Sequence, residues 1–177
     1  NEGTLLLSDS NVFDNVAAAP YGTGGLLNVG TAWVVRTYFL HNTPDTIRNL
    51  GRLEIDHTVI DWNGPGVGVR TWEGSMRIRS SVIANQAGSA VFCQNGPTLI
   101  ESSTITSSSP GAGILVASGD VTVRDSVIEQ NEGGGINNDG VLRVERSVLG
   151  ANGVVDAEAF VENDTGTGAG VPGLTNY

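Results

Sequence analysis

Apolar and polar residues alternate in short runs along most of the chain, and each run follows a glycine at a nearly constant interval. The second and fourth residues after these glycines are almost always apolar, whereas the residues between them are mostly polar or charged. Alternation with a period of two is typical of a β-strand that buries one face. The glycines are Gly3, Gly30, Gly51, Gly74, Gly96, Gly119 and Gly140.

Each unit continues with two further short runs. The seventh residue after the glycine is Ser or Thr and the ninth is apolar in every unit, and a third apolar run precedes the next glycine, as at residues 113–116 and 135–138. We therefore predict three short strands per unit. The hydroxyl column is Ser10, Thr37, Thr58, Ser81, Ser103, Ser126 and Ser147, the apolar column is Val12, Phe39, Ile60, Ile83, Ile105, Ile128 and Leu149, and an asparagine follows at Asn15, Asn42, Asn63, Asn85, Asn131 and Asn152.

The units are too short to fold alone. They are 21–23 residues long, apart from the first, which has 27 because residues 16–25 are expanded, and we expect this stretch to form a loop over one face. Such a unit buries its apolar face only by stacking on its neighbours. Residues 1–152 are therefore predicted to form an all-β solenoid, a parallel β-helix of about seven coils. At residues 153–177 we expect a cap or linker tail, with a strand pair or short helix at 154–161. Since the chain opens inside the repeat, we expect a piece of a longer protein.

The regular polar columns predict structural ladders. Stacked Ser, Thr and Asn side chains hydrogen-bond between coils or to the backbone, and Asn and Gly tolerate the left-handed backbone of tight corners. The outward residue five places after each glycine alternates in charge from Asp56 onwards, which favours a surface ion-pair ladder over a groove for a charged polymer. That column is Ser8, Val35, Asp56, Arg79, Glu101, Arg124 and Glu145.

Composition narrows the classes of function. The chain has 9 basic and 19 acidic residues, a formal net charge of −10, which excludes binding to a nucleic-acid backbone. No apolar run is long enough to span a membrane. The single cysteine, Cys93, lies in an apolar run and is predicted to be a packed core residue. We predict no cofactor and no tightly bound metal, although the acidic surface leaves weak Ca²⁺ binding open.

The repeat resembles a known family. Residues 126–152, SVIEQNEGGGINNDGVLRVERSVLGAN, are similar to the right-handed parallel β-helix repeats of the pectin-lyase-like group, and the resemblance covers about residues 3–152. It implies a right-handed coil. The group includes polysaccharide lyases, hydrolases, epimerases, phage tailspikes and surface proteins without activity, so the resemblance alone does not fix a function.

The third and fourth units hold the richest set of candidate site residues. Carboxylates perform acid–base chemistry on glycans, arginine pairs with carboxylate groups, and exposed aromatic rings stack on sugars. If the protein is an enzyme, its catalytic residues are predicted to be Asp56, Asp61 and Arg70. The predicted binding residues are Trp62, Trp72, Glu73 and, on the expanded loop of the first unit, Tyr21.

Three hypotheses remain open. The first is a non-catalytic β-helix module of an extracellular or cell-surface protein, acting as a scaffold or an adhesin-like glycan binder. The absence of the paired aspartates and Gly-His-Gly motif of polygalacturonases, and of the Asp-Pro-His-Glu motif of alginate epimerases, favours it. The second is a polysaccharide-active enzyme or a fragment of one. The third is a subunit of a larger extracellular assembly, with a polysaccharide or another protein chain as partner.

Overall fold

The computed structural model of the chain describes residues 1–18 and 22–153, together with the backbone of residues 174–176. Its described part consists of β-strands joined by turns, arranged in three parallel sheets of seven strands each. Each strand pairs with the strand three places later in the chain, except the last strand of each sheet. The polypeptide therefore visits the three sheets in turn and completes one coil on each pass, as the repeat predicts.

The strands of the first sheet begin directly after the repeat glycines, and those of the second begin directly after the hydroxyl column. The first sheet contains β1 (Thr4–Ser8), β4 (Thr31–Val35), β7 (Arg52–Asp56), β10 (Ser75–Arg79), β13 (Pro97–Glu101), β16 (Asp120–Arg124) and β19 (Val141–Glu145). The second contains β2 (Asn11–Phe13), β5 (Tyr38–Leu40), β8 (Val59–Asp61), β11 (Val82–Ala84), β14 (Thr104–Thr106), β17 (Val127–Glu129) and β20 (Val148–Gly150).

The third sheet uses the apolar run before each glycine. It contains β3 (Thr23–Asn28), β6 (Asp45–Asn49), β9 (Val69–Thr71), β12 (Val91–Cys93), β15 (Ile114–Val116), β18 (Ile136–Asn138) and β21 (Leu174–Asn176). Six coils are continuous, and β21 returns from the C-terminal segment to pair with β18. The strand pair or helix predicted at residues 154–161 lies outside the described residues, and the cap or tail at 153–177 stays a prediction.

The core is a stack of identical positions. Ile55, Ile78 and Ile100, four residues after their glycines, are buried one above another in the first sheet. Ile60 and Ile83 do the same in the second sheet. Full burial of one such side chain contributes about 1.5–3 kcal/mol, so the apolar columns supply most of the stability. The predicted inward positions are confirmed.

Cys93 is part of this core. Its side chain is buried at the end of β12, and burial raises the pKa of the thiol to about 12. A thiol with such a pKa stays protonated at neutral pH and is a poor nucleophile. The interpretation of Cys93 as a packed residue is confirmed.

The repeat glycine is required because successive coils touch there through their backbones. A Cβ atom on Gly74 would lie 1.9 Å from the carbonyl oxygen of Gly51, and one on Gly96 would lie 1.9 Å from that of Gly74. Gly74 and Gly96 also have positive φ, at 78° and 92°. Gly51 has no positive φ, yet a Cβ there would lie 2.1 Å from the Gly30 oxygen. Close approach is therefore the common constraint, and backbone conformation adds to it in part of the column.

The hydroxyl column forms the predicted structural ladder. Ser103 Oγ accepts the backbone N–H of Ser81 at 3.2 Å and donates to the Glu101 carbonyl at 2.8 Å. Ser126 repeats the pattern, since its Oγ accepts the Ser103 N–H at 3.2 Å and donates to the Arg124 carbonyl at 2.8 Å. Each hydroxyl thus satisfies a backbone group of the neighbouring coil and one of its own.

The asparagine ladder needs one correction. Asn42 and Asn131 bond to the next asparagines of the column at 3.2 and 3.0 Å, but the residue that stacks in the fourth coil is Gln86, not Asn85. Gln86 Nε2 donates to the Ile60 carbonyl at 3.0 Å, whereas Asn85 precedes it with φ of 49° and bonds to Asp61 at 2.8 Å. The ladder position of the fourth coil is therefore Gln86, one residue after the predicted Asn85, which forms the left-handed corner.

The left-handed corners also differ from the prediction. They fall on the residue before each ladder position, whatever its type, and not on the stacked asparagines. The two corners lie before and after each strand of the second sheet. Besides Asn85, the residues with φ between 45° and 58° at these corners are Asp9, Asp14, Arg36, His41, His57, Trp62, Ser80, Ser102, Ser107, Asp125, Gln130, Arg146 and Ala151. Fixed hydrogen bonds on both sides hold these corners, so that stacking overrides the local preference for Asn or Gly.

We predict that Gly74→Ala lowers the free energy of unfolding by about 2 kcal/mol or more, because the added Cβ meets the Gly51 backbone and takes a strained φ. Urea unfolding followed by circular dichroism measures the change. Gly3→Ala is the matched control, since Gly3 opens the first unit of the same column and has nothing within 4 Å of the added atom. Equal effects of the two substitutions would contradict the close-approach argument.

Candidate functional site

The three predicted catalytic residues lie on three different sheets of one coil. Asp56 ends β7 in the first sheet, Asp61 ends β8 in the second, and Arg70 is the middle residue of β9 in the third. Asp56 accepts hydrogen bonds from Arg79 Nε at 3.0 Å and Nη2 at 2.6 Å, while Asp61 accepts from Asn85. The two carboxylates therefore end strands of different sheets, and each is engaged by a different partner, Arg79 or Asn85.

His57 adds no catalytic partner to Asp56. Its Nδ1 lies 2.8 Å from Asp56 Oδ1, and the imidazole is largely exposed. The hydrogen bonds from Arg79, opposed by partial burial, hold the pKa of Asp56 below its usual value. Asp56 is therefore an ionised member of an ion pair, which is the arrangement expected of a structural ladder.

The outward face of the first sheet carries ion pairs, as predicted, but the alternating column forms them only in part: Arg79 pairs with Asp56 and Arg124 with Glu101, whereas no ion pair joins Arg79 to Glu101. Glu101 is buried and accepts hydrogen bonds from Arg77 on the preceding strand and Arg124 on the following one, the latter at 2.9 Å from Nε. Burial alone would raise the pKa of Glu101, but the two guanidinium groups outweigh it and lower that pKa. A shallow groove of about 540 Å³ lies beside these pairs and is also lined by Leu99 and Thr122.

Of the predicted binding residues that the structure describes, Trp72 alone lies in a cluster of interacting side chains. Trp72 directly follows β9, and the residue is 40% exposed. Its ring lies against two guanidinium groups, with the ring centroid 5.7 Å from Arg48 Cζ and 5.6 Å from Arg70 Cζ. Trp62 is 62% exposed at a corner beyond the second sheet. Glu73 is exposed beside Trp72, and Tyr21 lies outside the described residues.

A buried aspartate holds the two arginines. Asp45, at the start of β6, is 4% exposed. It accepts hydrogen bonds from Arg48 Nη2 and Arg70 Nε, each at 2.8 Å, and from the backbone N–H of Val67 at 3.0 Å. Burial by itself would raise the pKa of Asp45, but these hydrogen bonds and the charge of Arg70 lower it, so the carboxylate is ionised.

The arginines stack in register. Arg48 and Arg70 are paired across β6 and β9, and Phe92 follows in the same column on β12. Arg70 Cζ lies 4.7 Å from the Phe92 ring centroid, so its guanidinium contacts both aromatic rings. Like charges directly opposite one another in a sheet repel, and Asp45 offsets that repulsion. We call the set Asp45, Arg48, Arg70, Trp72 and Phe92 the arginine–aromatic cluster.

The sequence prediction missed Asp45, Arg48 and Phe92. Their signal is the outward column of the third strand, which runs Leu27, Arg48, Arg70, Phe92, Leu115 and Asn137. In an alignment of the third strands, the two arginines fall in the same column. Asp45 has no such signal, because its role depends on a side chain that turns towards the neighbouring coil.

The described residues form neither a metal-binding cluster nor a membrane-spanning helix. Within residues 1–18 and 22–153, no three His, Cys, Asp or Glu side chains are placed to share a metal ion. The described residues contain no helix with the length and apolar character of a membrane span.

The stacked strands and ladders define a parallel β-helix, and a comparison with protein families agrees. The family model described as "Right handed beta helix region" matches residues 66–157, just over half of the chain. The chain therefore belongs to the right-handed β-helix family. Neither a search of curated proteins nor a search of solved structures finds a match.

We predict that Asp45→Ala lowers the free energy of unfolding by about 3–5 kcal/mol, because it leaves two half-buried guanidinium groups facing each other without a counter-charge. Chemical denaturation measures the loss. Asp125→Ala serves as the control, since Asp125 forms an exposed pair with Arg146 and exposed pairs contribute little. A loss for Asp45→Ala no larger than that for Asp125→Ala would contradict the assigned role.

The depressed carboxyl pKa values predict acid sensitivity. Asp45 and Glu101 have pKa values below their ordinary ones in the folded chain, so the folded state binds fewer protons than the unfolded state in acid. Their contribution to stability is complete above the ordinary pKa range and is lost as the pH falls through the folded values. We expect the free energy of unfolding to fall steadily below about pH 4. Urea titrations between pH 7 and pH 2.5 measure this, and a constant value would contradict it.

Proposed function

We propose that this chain is a non-catalytic β-helix module of a secreted or cell-surface protein, and that it binds a glycan on the outward face of the third sheet. The arginine–aromatic cluster carries the proposal. It combines a partly exposed indole ring with two guanidinium groups on a rigid sheet, and a single buried aspartate fixes both guanidinium groups.

The chemistry of the cluster suits a sugar. An indole ring offers a flat apolar face for the C–H face of a pyranose, and guanidinium N–H groups donate to its oxygens. Phe92 within the cluster, and Leu27 and Leu115 on either side of it in the column, are apolar and at least partly exposed. Strands place such side chains more precisely than loops do, so the platform needs little rearrangement to bind.

The carboxylates of this face favour binding over catalysis. Glycoside hydrolysis generally needs two carboxyl groups about 5–9.5 Å apart across the scissile bond. Asp45 is buried beneath two arginines and accepts four hydrogen bonds, so it is not available as a general acid. The enzyme alternative depends on Asp56 and Asp61, whose side chains are engaged on other sheets.

We predict that Trp72→Ala weakens binding to a responsive glycan by about tenfold or more, because stacking on the indole ring is lost. A glycan array identifies the ligand, and isothermal titration calorimetry measures its affinity. Trp62→Ala is the matched control, since Trp62 is more exposed but lies outside the cluster.

Product analysis accompanies the binding measurements. The wild-type protein is incubated with each bound polysaccharide, and reducing ends and unsaturated products are measured over a day. We expect no turnover. Cleavage of any glycan, or equal losses of affinity for Trp62→Ala and Trp72→Ala, would overturn the proposal.

A further inference from the structure

We infer that the group recognised by the arginine–aromatic cluster is an anion, a carboxylate or a sulfate ester carried on the ligand. The inference rests on the proposed function and narrows it, because a glycan binder of this kind would select acidic sugars over neutral ones.

The charge count of the cluster motivates the inference. Two guanidinium groups face one carboxylate, so the cluster has a surplus of one positive charge in a chain of formal net charge −10. Glu73 follows Trp72 in the sequence, but it forms no ion pair with either arginine in the described structure. The surplus is therefore not neutralised locally, and an incoming anion would complete the pairing.

The donors of the cluster are only partly used. A guanidinium group has five N–H donors. Arg48 donates to Asp45 through Nη2, and its buried Nε has no hydrogen-bond partner. Arg70 donates to Asp45 through Nε and, at 3.4 Å, through Nη2. Neither Nη1 group donates to a described residue, so both guanidinium groups retain donors.

Asp45 makes the arrangement suitable for an anion. It fixes two like-charged side chains side by side from below, and their side chains are 17% and 21% exposed. Arginine pairs with carboxylate and sulfate oxygens through short, charge-assisted hydrogen bonds. Because the guanidinium groups are already held between Asp45 and the aromatic rings, little side-chain entropy is lost when the anion binds.

Three matched probes test the inference. They are an oligomer of a uronic acid, the same oligomer with its carboxyl groups reduced to alcohols, and a sulfated oligosaccharide of similar length. Affinity is measured by calorimetry at 50 and 300 mM NaCl. We expect at least one acidic probe to bind about tenfold or more tightly than the reduced oligomer, and its affinity to fall at the higher salt concentration. The stronger of the two acidic probes identifies the anionic group.

Variants connect the preference to the cluster. Arg48→Gln and Arg70→Gln are each expected to weaken binding of the acidic probe about tenfold and to weaken any binding of the reduced oligomer much less, because the glutamine amide still donates hydrogen bonds to neutral oxygens but carries no charge. Arg79→Gln is the control, because Arg79 pairs with Asp56 on the first sheet. Circular dichroism checks each fold. If a glutamine variant unfolds, Arg48→Lys is used in its place. It retains the positive charge but lacks the planar guanidinium group, so we expect an intermediate loss of affinity for the acidic probe.

The outcomes separate the inference from the proposed function. If the acidic and reduced oligomers bind equally and Trp72→Ala abolishes both, the inferred anion preference is wrong but the proposed glycan binding is supported. Acidic binding that the arginine variants do not alter would likewise overturn the inference. Failure of all three probes, together with a glycan array on which nothing binds, would overturn both.

Discussion

Close stacking of one coil on the next is the constraint on which the rest of the structure depends. Parallel strands lie about 4.8 Å apart, and at the repeat glycine the backbones approach more closely than a Cβ atom allows, as at Gly51 and Gly74. Because each coil must meet its neighbour there, the register of the three strands that follow is fixed. Each residue then stacks on the residue at the same place in the next coil.

This register turns each position of the repeat into a column, and the chemistry of a column differs from that of a single residue. Isoleucine above isoleucine builds one continuous core, and a hydroxyl above a hydroxyl satisfies backbone groups between coils, as Ser103 and Ser126 do. Opposite charges stacked outwards give ion pairs, of which Asp56 and Arg79 are an example. Stacking of like residues also places Arg48 next to Arg70, where their positive charges repel. The buried carboxylate of Asp45 offsets this repulsion.

Most of the fold could be predicted because the intervals within the first two strands are constant. Gly74, Ser81 and Ile83 keep the same spacing as Gly51, Thr58 and Ile60, so counting residues was enough to place them. The turn into the third strand varies in length: seven residues separate β8 from β9, whereas four separate β5 from β6. Counting fails across such a turn, and the arginine column was missed for that reason. The shift from Asn85 to Gln86 arose in the same way, because a corner residue and a ladder residue are neighbours and either one can be asparagine.

The candidate site was only half predictable, because proximity along the chain misled the choice of partners. Asp56, Asp61 and Arg70 are close in sequence, yet a three-sided coil sends such residues to different faces. Arg70 instead meets Asp45 and Arg48 from the coil before it and Phe92 from the coil after it. In a solenoid, residues about one repeat apart are therefore better candidates for a shared site than residues a few places apart.

The composition of the third-sheet column also bears on why the cluster exists. Apolar side chains such as Leu27, Phe92 and Leu115 stack in this column without a counter-charge. A buried aspartate with two half-buried arginines is often no more stable than apolar residues of similar size, because desolvation of the charges opposes their attraction. Stability alone therefore does not account for three charged residues at this point of the solenoid. The anion binding that we propose would account for them, because the desolvation that weakens the cluster as a structural element also leaves its guanidinium groups under-solvated and fixed in place.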